Sequence, residues 1–135
     1  MFFKEKKMVL GIGAKANISK ENVIKAIQIA MNNLNLAIER IDYIATAEIK
    51  KEEKGILEAV EEINKPLEIV AINEIKNFKN SNISKSEFVQ EKFDIPGVAE
   101  PTALIVAERG SNRDSKLIHK KIAIDGVTVA VAILD

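Results

Sequence analysis

Val127-Thr128-Val129-Ala130-Val131-Ala132-Ile133 is apolar at nearly every position. A strand with one wet face alternates polar and apolar residues. A run without that alternation belongs inside a sheet covered on both sides, so this one reads as a central strand. Asp125-Gly126 stands immediately before it, and the extended run Lys116 to Ile124 precedes that pair. An Asp-Gly pair between two extended runs signals a two-residue hairpin, because both turn positions need a positive φ. The chain therefore closes with an antiparallel hairpin whose second arm is buried.

Working outward from the hairpin, the first half shows a different rhythm. Met8-Val9-Leu10-Gly11-Ile12-Gly13 is a short apolar run ending in glycines and reads as a first strand. Ser19 precedes a helix as an N-cap would, and Val23, Ile27, Ala30, Met31 and Leu34 recur at helical spacing. Asn32-Asn33 and Asn35 mark its end. Tyr43-Ile44-Ala45-Thr46 reads as a second strand, followed by the charged loop Lys50 to Gly55. A second helix carries Ile56, Leu57, Val60 and Ile63 on one side and stops before Pro66; Leu67 to Ala71 is a third strand. Ile72 to Lys79 reads as one short helix. Ser84 and Glu87 fit a capping box for another that runs to about Phe93. Ile95-Pro96-Gly97 breaks it, and a last helix precedes the polar loop Arg109 to Asp114.

The order β-α-β-α-β, then helices, then a hairpin, predicts a single-domain α/β sandwich. Its mixed sheet has about five strands, flanked by helices and closed by the C-terminal β-hairpin. Residues 1–7 read as a leader or linker stub, and 8–135 as the domain.

Bulk composition excludes several function classes. Twenty basic and twenty acidic residues among 135 cancel, and few aromatics interleave the basic stretches. No nucleic-acid partner is expected. No apolar run approaches membrane length, so no membrane partner is expected either. Cysteine is absent, which removes disulfide and thiolate chemistry and agrees with a reducing, cytoplasmic setting. His119 is the single histidine. The chain offers no metal-ligand cluster and calls for no cofactor of its own.

Three segments carry residues fit for chemistry. Gly97-Val98-Ala99-Glu100-Pro101-Thr102 opens the last helix with an acid and a proline in its first turn. Proline costs no helix bond there, and free N–H donors at a helix start can hold a polar ligand group. Glu100 is the best candidate acid or base. Gly11-Ile12-Gly13-Ala14-Lys15 follows a strand and precedes a helix, where Gly11 and Gly13 would let a ligand approach the backbone. It lacks the third glycine of a dinucleotide fingerprint and the ending of a Walker A loop. Thr46, Lys50, Glu53 and Gly55 lie at the C-terminal end of the second strand. Ligands of open parallel sheets bind beyond the carboxyl ends of strands, so Lys15 and Lys50 are expected as neighbours at one rim, suited to an anion. Lys120 adds a further positive group. His119 within a strand pair reads mainly as a half-buried structural residue, and Lys51, Glu52 and Lys54 as a solvated charge run.

Taken together, these motifs resemble the family formed by CobE and the C-terminal domain of CbiG, proteins of cobalamin biosynthesis. The resemblance rests on Gly11-Ile12-Gly13 with Lys15, Ala45-Thr46 with Lys50, Glu53 and Gly55, then Gly97-Val98-Ala99-Glu100, and Lys120 with Val127-Thr128-Val129-Ala130. Ser86-Glu87 adds a weaker element. The motifs stand in the family's order from Val9 to Ile133. Ala14-Lys15 replaces a Cys-Arg type pair, Asn17 stands for a glycine and Gly97 for a serine. Charge is kept at Lys15, but a bidentate guanidinium is lost.

The resemblance implies a corrin-ring precursor with many carboxylates as the ligand, its metal arriving with the macrocycle. It also implies other cobalamin-pathway enzymes as partners. CbiG is similar in role to a hydrolase that opens the lactone of cobalt-precorrin-5A and releases acetaldehyde. Glu100 would then act as general base or position the lactone, with Lys15 and Lys50 stabilising oxyanion charge. Two classes stay open: a lactone-opening hydrolase, and a non-catalytic corrinoid carrier or CobE-like accessory protein. A homodimer through a free strand edge also stays open.

Overall fold

The computed structural model describes residues 6–79 and 95–135. Within them run β1 (Lys7–Ala14), α1 (Lys20–Asn33), β2 (Tyr43–Ala47), α2 (Lys54–Glu62), β3 (Leu67–Val70), α3 (Ile72–Asn77), α4 (Ala99–Glu108), β4 (Lys116–Ile124) and β5 (Val127–Leu134). The expected helix from Ser84 to Phe93 lies outside the described residues. Lys7, read above with the leader, opens β1, and its Nζ donates to the Arg109 carbonyl.

The five strands form one mixed sheet in the order β3-β2-β1-β5-β4. β1 pairs in parallel with β2, and β2 with β3; β5 runs antiparallel to both β1 and β4. Every residue of β5 is buried, as its unbroken apolar run requires. This is the α/β sandwich expected from the element order.

Side-chain alternation divides the core into two layers. Met8, Leu10, Ile12, Val127, Val129, Val131 and Ile133 face α1 and α2. Val9, Ala45, Ala47, Val70, Ala132 and Leu134 face the other way, against α3 and α4. Both layers are closed, which is why β5 tolerates no polar face.

Local chemistry sets the helix ends. The Ser19 hydroxyl accepts the Asn22 N–H at 3.1 Å and caps α1, and Asn35 takes a positive φ of 58° just past the helix. α2 departs from the expected stripe. It docks through Gly55, Ile56, Ala59 and Val60, while Leu57 is left 39% exposed. Leu57 stands 100° round the helix from Ile56, and the contact of α2 with α1 selects the Gly55–Ala59 side. α4 starts at Ala99, after a 3-10 turn over Ile95–Val98 rather than at Gly97.

The hairpin turn takes the form the Asp-Gly pair predicts, with φ of 51° at Asp125 and 85° at Gly126. Lys25 of α1 donates to the Asp125 carboxylate at 2.9 Å. That hydrogen bond and charge hold Asp125 below its ordinary value of 3.8. A depressed carboxylate stabilises the fold above its unfolded pKa, and the contribution fades as pH falls through the lowered folded value. In Lys25→Ala, carbon-detected NMR titration of Asp125 is expected to move its midpoint up toward 3.8. An unchanged midpoint would remove Lys25 as the cause.

Candidate functional site

The site is built where α4 crosses β1. A Cβ placed on Gly11 would lie 2.0 Å from the Ala99 carbonyl oxygen, 2.8 Å from Thr102 Oγ1 and 2.9 Å from the Ala103 nitrogen. The bare backbone of Gly11 thus admits the first turn of α4. This corrects the expectation that Gly11 opens space for a ligand: the helix occupies that space. Thr102 donates its hydroxyl back to the Val98 carbonyl at 2.7 Å, so this group, though seated against Gly11, is already satisfied within α4 and its leading turn. The far end of α4 reaches Lys7, so the helix runs antiparallel to β1 and its N-terminus sits over the carboxyl end of the strand. Helix dipole and strand ends therefore meet on one rim.

Glu100 lies half-buried in that first turn and reaches outward to the hairpin. Its Oε2 accepts the Lys121 backbone N–H at 2.9 Å. One carboxylate oxygen is thereby fixed, and a carboxylate retains acceptor capacity on the other. Lys121 lies in the part of β4 where the pairing register with β5 shifts, between His119 and Ile122. Lys120 is exposed on the same stretch. Gly97 is buried in the turn leading into α4, and Gly13 lies two residues beyond Gly11 on the same face of β1.

The β2 side of the expected rim is organised differently. Thr46 is fully buried and donates its hydroxyl to the Ile12 carbonyl at 2.8 Å. It joins two parallel strands and has no surface to offer a ligand, which corrects its placement among binding residues. Lys50 is only 9% exposed, and its Nζ lies 3.5 Å from Glu53 Oε1. The other Glu53 oxygen accepts the Asn17 N–H at 3.0 Å. Gly55 permits the close approach of the loops, since a Cβ there would lie 2.1 Å from the Ile18 carbonyl oxygen. Lys50 and Glu53 therefore brace the loop after β1 against the loop after β2, and the Lys50 charge is matched at its source.

Lys15 turns the other way. Its stem packs across Gly126, where a Cβ would come within 2.6 Å of Cε, and its N–H donates to the Gly126 carbonyl at 3.0 Å. Lys15 and Lys50 both follow parallel strands, as expected, but lean toward opposite edges of the sheet. A cleft of about 610 Å³ lies between the loop after β1 and the start of α2. Glu21, Glu52, Glu53 and Glu58 line it against Lys20 and Lys54. Lys20 is paired with Glu62 at 2.9 Å, and Lys54 lies 3.8 Å from Glu58. This acidic cleft repels a polycarboxylate. The α4 rim carries a helix N-terminus, with Lys120 exposed next to Lys121 and Lys15 exposed over the hairpin turn.

His119 is structural. The Asn33 amide donates to its Nε2 at 3.0 Å, which leaves Nδ1–H to donate to the Lys120 carbonyl at 2.6 Å. Both ring nitrogens are engaged, in line with the half-buried role read from the strand pattern. Sequence reasoning passed over Thr128, the one hydroxyl in the apolar β5 run. It is 5% exposed, pairs with Gly13 of β1 and lies on the α4 face. The available signal was a polar residue in a strand with no wet face.

The chain belongs to the cobalamin synthesis G C-terminus family. The family's model matches residues 8–132, which carries the motif resemblance across the domain. A probable cobalt-precorrin-5A hydrolase of Methanocaldococcus jannaschii is 38% identical over 133 residues, covering 96% of this chain and 41% of that protein. The chain thus spans about two fifths of that relative's length. A cobalamin biosynthesis protein G homologue from Sulfolobus solfataricus is 34% identical, with a TM-score of 0.70 over 96% of this chain and 37% of that one. CobE of the cobalamin pathway shares the fold at 21% identity, with a TM-score of 0.81, covering 96% of this chain and 95% of that one.

Proposed function

We propose that this domain of the cobalamin synthesis G family binds a carboxylate-rich corrinoid precursor at the α4 rim and takes part in opening the lactone of cobalt-precorrin-5A. The observation that carries the proposal is the 38% identity to a probable cobalt-precorrin-5A hydrolase across 96% of this chain. The rim supports it chemically. Lys15 and Lys120 offer point charges to acetate and propionate arms. The N-terminus of α4 offers a positive dipole end where oxyanion charge would develop. Glu100 holds a fixed carboxylate oxygen on Lys121 and offers the other to a water. Water adds to the lactone carbonyl, the ring C–O bond breaks, and a carboxylate and an alcohol result; the alcohol then gives up its O–H proton, its carbon–carbon bond to the macrocycle breaks, the electron pair and a proton go to the macrocycle, and the two-carbon fragment leaves as acetaldehyde. Glu100 takes the proton of the attacking water. Cobalt, where present, arrives in the macrocycle as part of the substrate. A cytoplasmic setting belongs to the same proposal.

A second reading has its own support. The chain spans only 41% of the curated hydrolase, so the same rim also suits a carrier that holds the corrinoid while another domain or pathway enzyme acts. An anaerobic absorbance titration of the chain with cobalt-precorrin-5A at two ionic strengths tests the shared step. Saturable spectral change that weakens with salt and with Lys15→Ala plus Lys120→Ala is expected. Absence of any saturable change overturns both readings.

A further inference from the structure

We infer that Thr128 is a further contact residue, whose hydroxyl holds a neutral carbonyl oxygen, that of an ester or lactone, at the N-terminus of α4 beside Glu100. The assignment rests on the corrinoid reading above and names the group that this point of the rim would take.

Two independent observations carry it. The first is where α4 begins. Its first turn is seated on Gly11, which pairs with Ala130 of β5. The next rung on the same face is Gly13 with Thr128, about 7 Å further toward the carboxyl end of β1. Gly13 carries no side chain, so no side chain of β1 stands across from Thr128 on the α4 face; the 3-10 turn that leads into α4 packs on both strands. The second is the hydroxyl itself. Thr128 is 95% buried by its own 5% exposure, and no described group hydrogen-bonds its side chain. The described residues nevertheless leave no fully buried side-chain oxygen without a partner. The Thr128 oxygen therefore keeps a small exposure to solvent. A hydroxyl held in an otherwise dry strand and left open only at its tip is placed to donate to a ligand. By contrast, Thr46 and Thr102, its fellow buried threonines, donate to backbone carbonyls within the fold.

The charge around this point selects the ligand group. Glu100 reaches from α4 to Lys121, two residues before Ala123, the β4 partner of Thr128. A carboxylate arm placed there would face the Glu100 charge. A neutral carbonyl accepts the same donors without that repulsion, and the carboxylate arms are left to Lys15 and Lys120.

The test uses the ¹⁵N-labelled chain and δ-valerolactone as probe, followed by amide shifts, with Thr128→Val and Thr128→Ser in parallel. Valine keeps the shape and strand preference; serine keeps the hydroxyl. Saturable shifts are expected at Val98 to Glu100 and at Thr128. Thr128→Val should weaken them about fivefold, and Thr128→Ser less than twofold, with thermal midpoints of both variants near that of the parent. Equal binding by Thr128→Val, no shifts at these amides, or tighter binding of sodium acetate at the same amides would each overturn the assignment. Corrinoid titration of the same samples separates the two layers. A lactone response with no corrinoid binding sinks the corrinoid reading and leaves the carbonyl site standing, whereas corrinoid binding unaffected by Thr128→Val sinks the Thr128 assignment alone.

Discussion

Gly11→Ala is expected to destabilise the domain by about 3 kcal/mol or more and to lower its thermal midpoint by about 10 °C. The added methyl would sit 2.0 Å from the Ala99 carbonyl oxygen and within 3 Å of a second backbone atom, Ala103 N. Neither can rotate away as a side-chain tip does, so α4 itself must lift. The other glycines provide controls. Gly110 has a φ of 79° and open space around its missing Cβ, so alanine there meets only backbone strain of about 1 kcal/mol. Gly126 has a φ of 85° and faces the flexible end of Lys15, which can swing aside. Urea unfolding of the three alanine variants should rank Gly11 far above the others. Equal losses at all three positions would mean that α4 does not depend on the bare backbone of β1. Because Glu100 rides on the first turn of α4, the Gly11 variant should also disturb the Lys121 amide resonance.

Glu100→Gln is expected to reduce acetaldehyde release at least about a hundredfold while changing corrinoid affinity less than about threefold. Glutamine keeps an oxygen that can accept the Lys121 N–H, so the bond to β4 and the start of α4 stay in place. What it lacks is a carboxylate oxygen able to take a proton from water. Single-turnover acetaldehyde assays with matched absorbance titrations separate the two effects. Normal turnover in Glu100→Gln would remove Glu100 from the chemistry. Lost binding together with lost turnover would recast it as a residue that shapes the rim.

The elements that could be read from the sequence are those whose cause is local. The hairpin follows from Asp125-Gly126, the first helix start from the Ser19 hydroxyl, and the buried strand from a run with no polar alternation. Glu100 and Pro101 sit in a helical first turn because both suit it. What escaped reading depends on which surfaces meet across the sheet. Two residues of the Gly11-Ile12-Gly13 run share a face, yet one receives a helix and the other faces Thr128. No spacing rule distinguishes them. Thr46 and Lys50 look alike in sequence as polar groups at the end of a strand. The fold sends one hydroxyl into the interior and gives the lysine a glutamate three residues on. Leu57 fits the helical period as well as Ile56 does, and only the approach of α1 decides between them. The family resemblance was carried by motif order along the chain, which survives such reassignment of individual contacts. It held across residues 8–132.

The domain stands on its own core. Both faces of its central strands are covered by its own helices, and β5, the strand joining the parallel and antiparallel halves, is buried throughout. The rim is then a rigid platform: α4 is fixed by Gly11, and Glu100 by Lys121. Preorganised groups of this kind favour a reaction in which charge develops on an oxygen near a helix start. The most direct test is an anaerobic single-turnover experiment with the chain in excess over cobalt-precorrin-5A, following the corrinoid spectrum and trapped acetaldehyde together. A spectral shift on mixing, followed by release of one acetaldehyde per corrinoid, is the predicted result. A corrinoid that keeps its free spectrum and yields no acetaldehyde at any protein concentration would contradict the account.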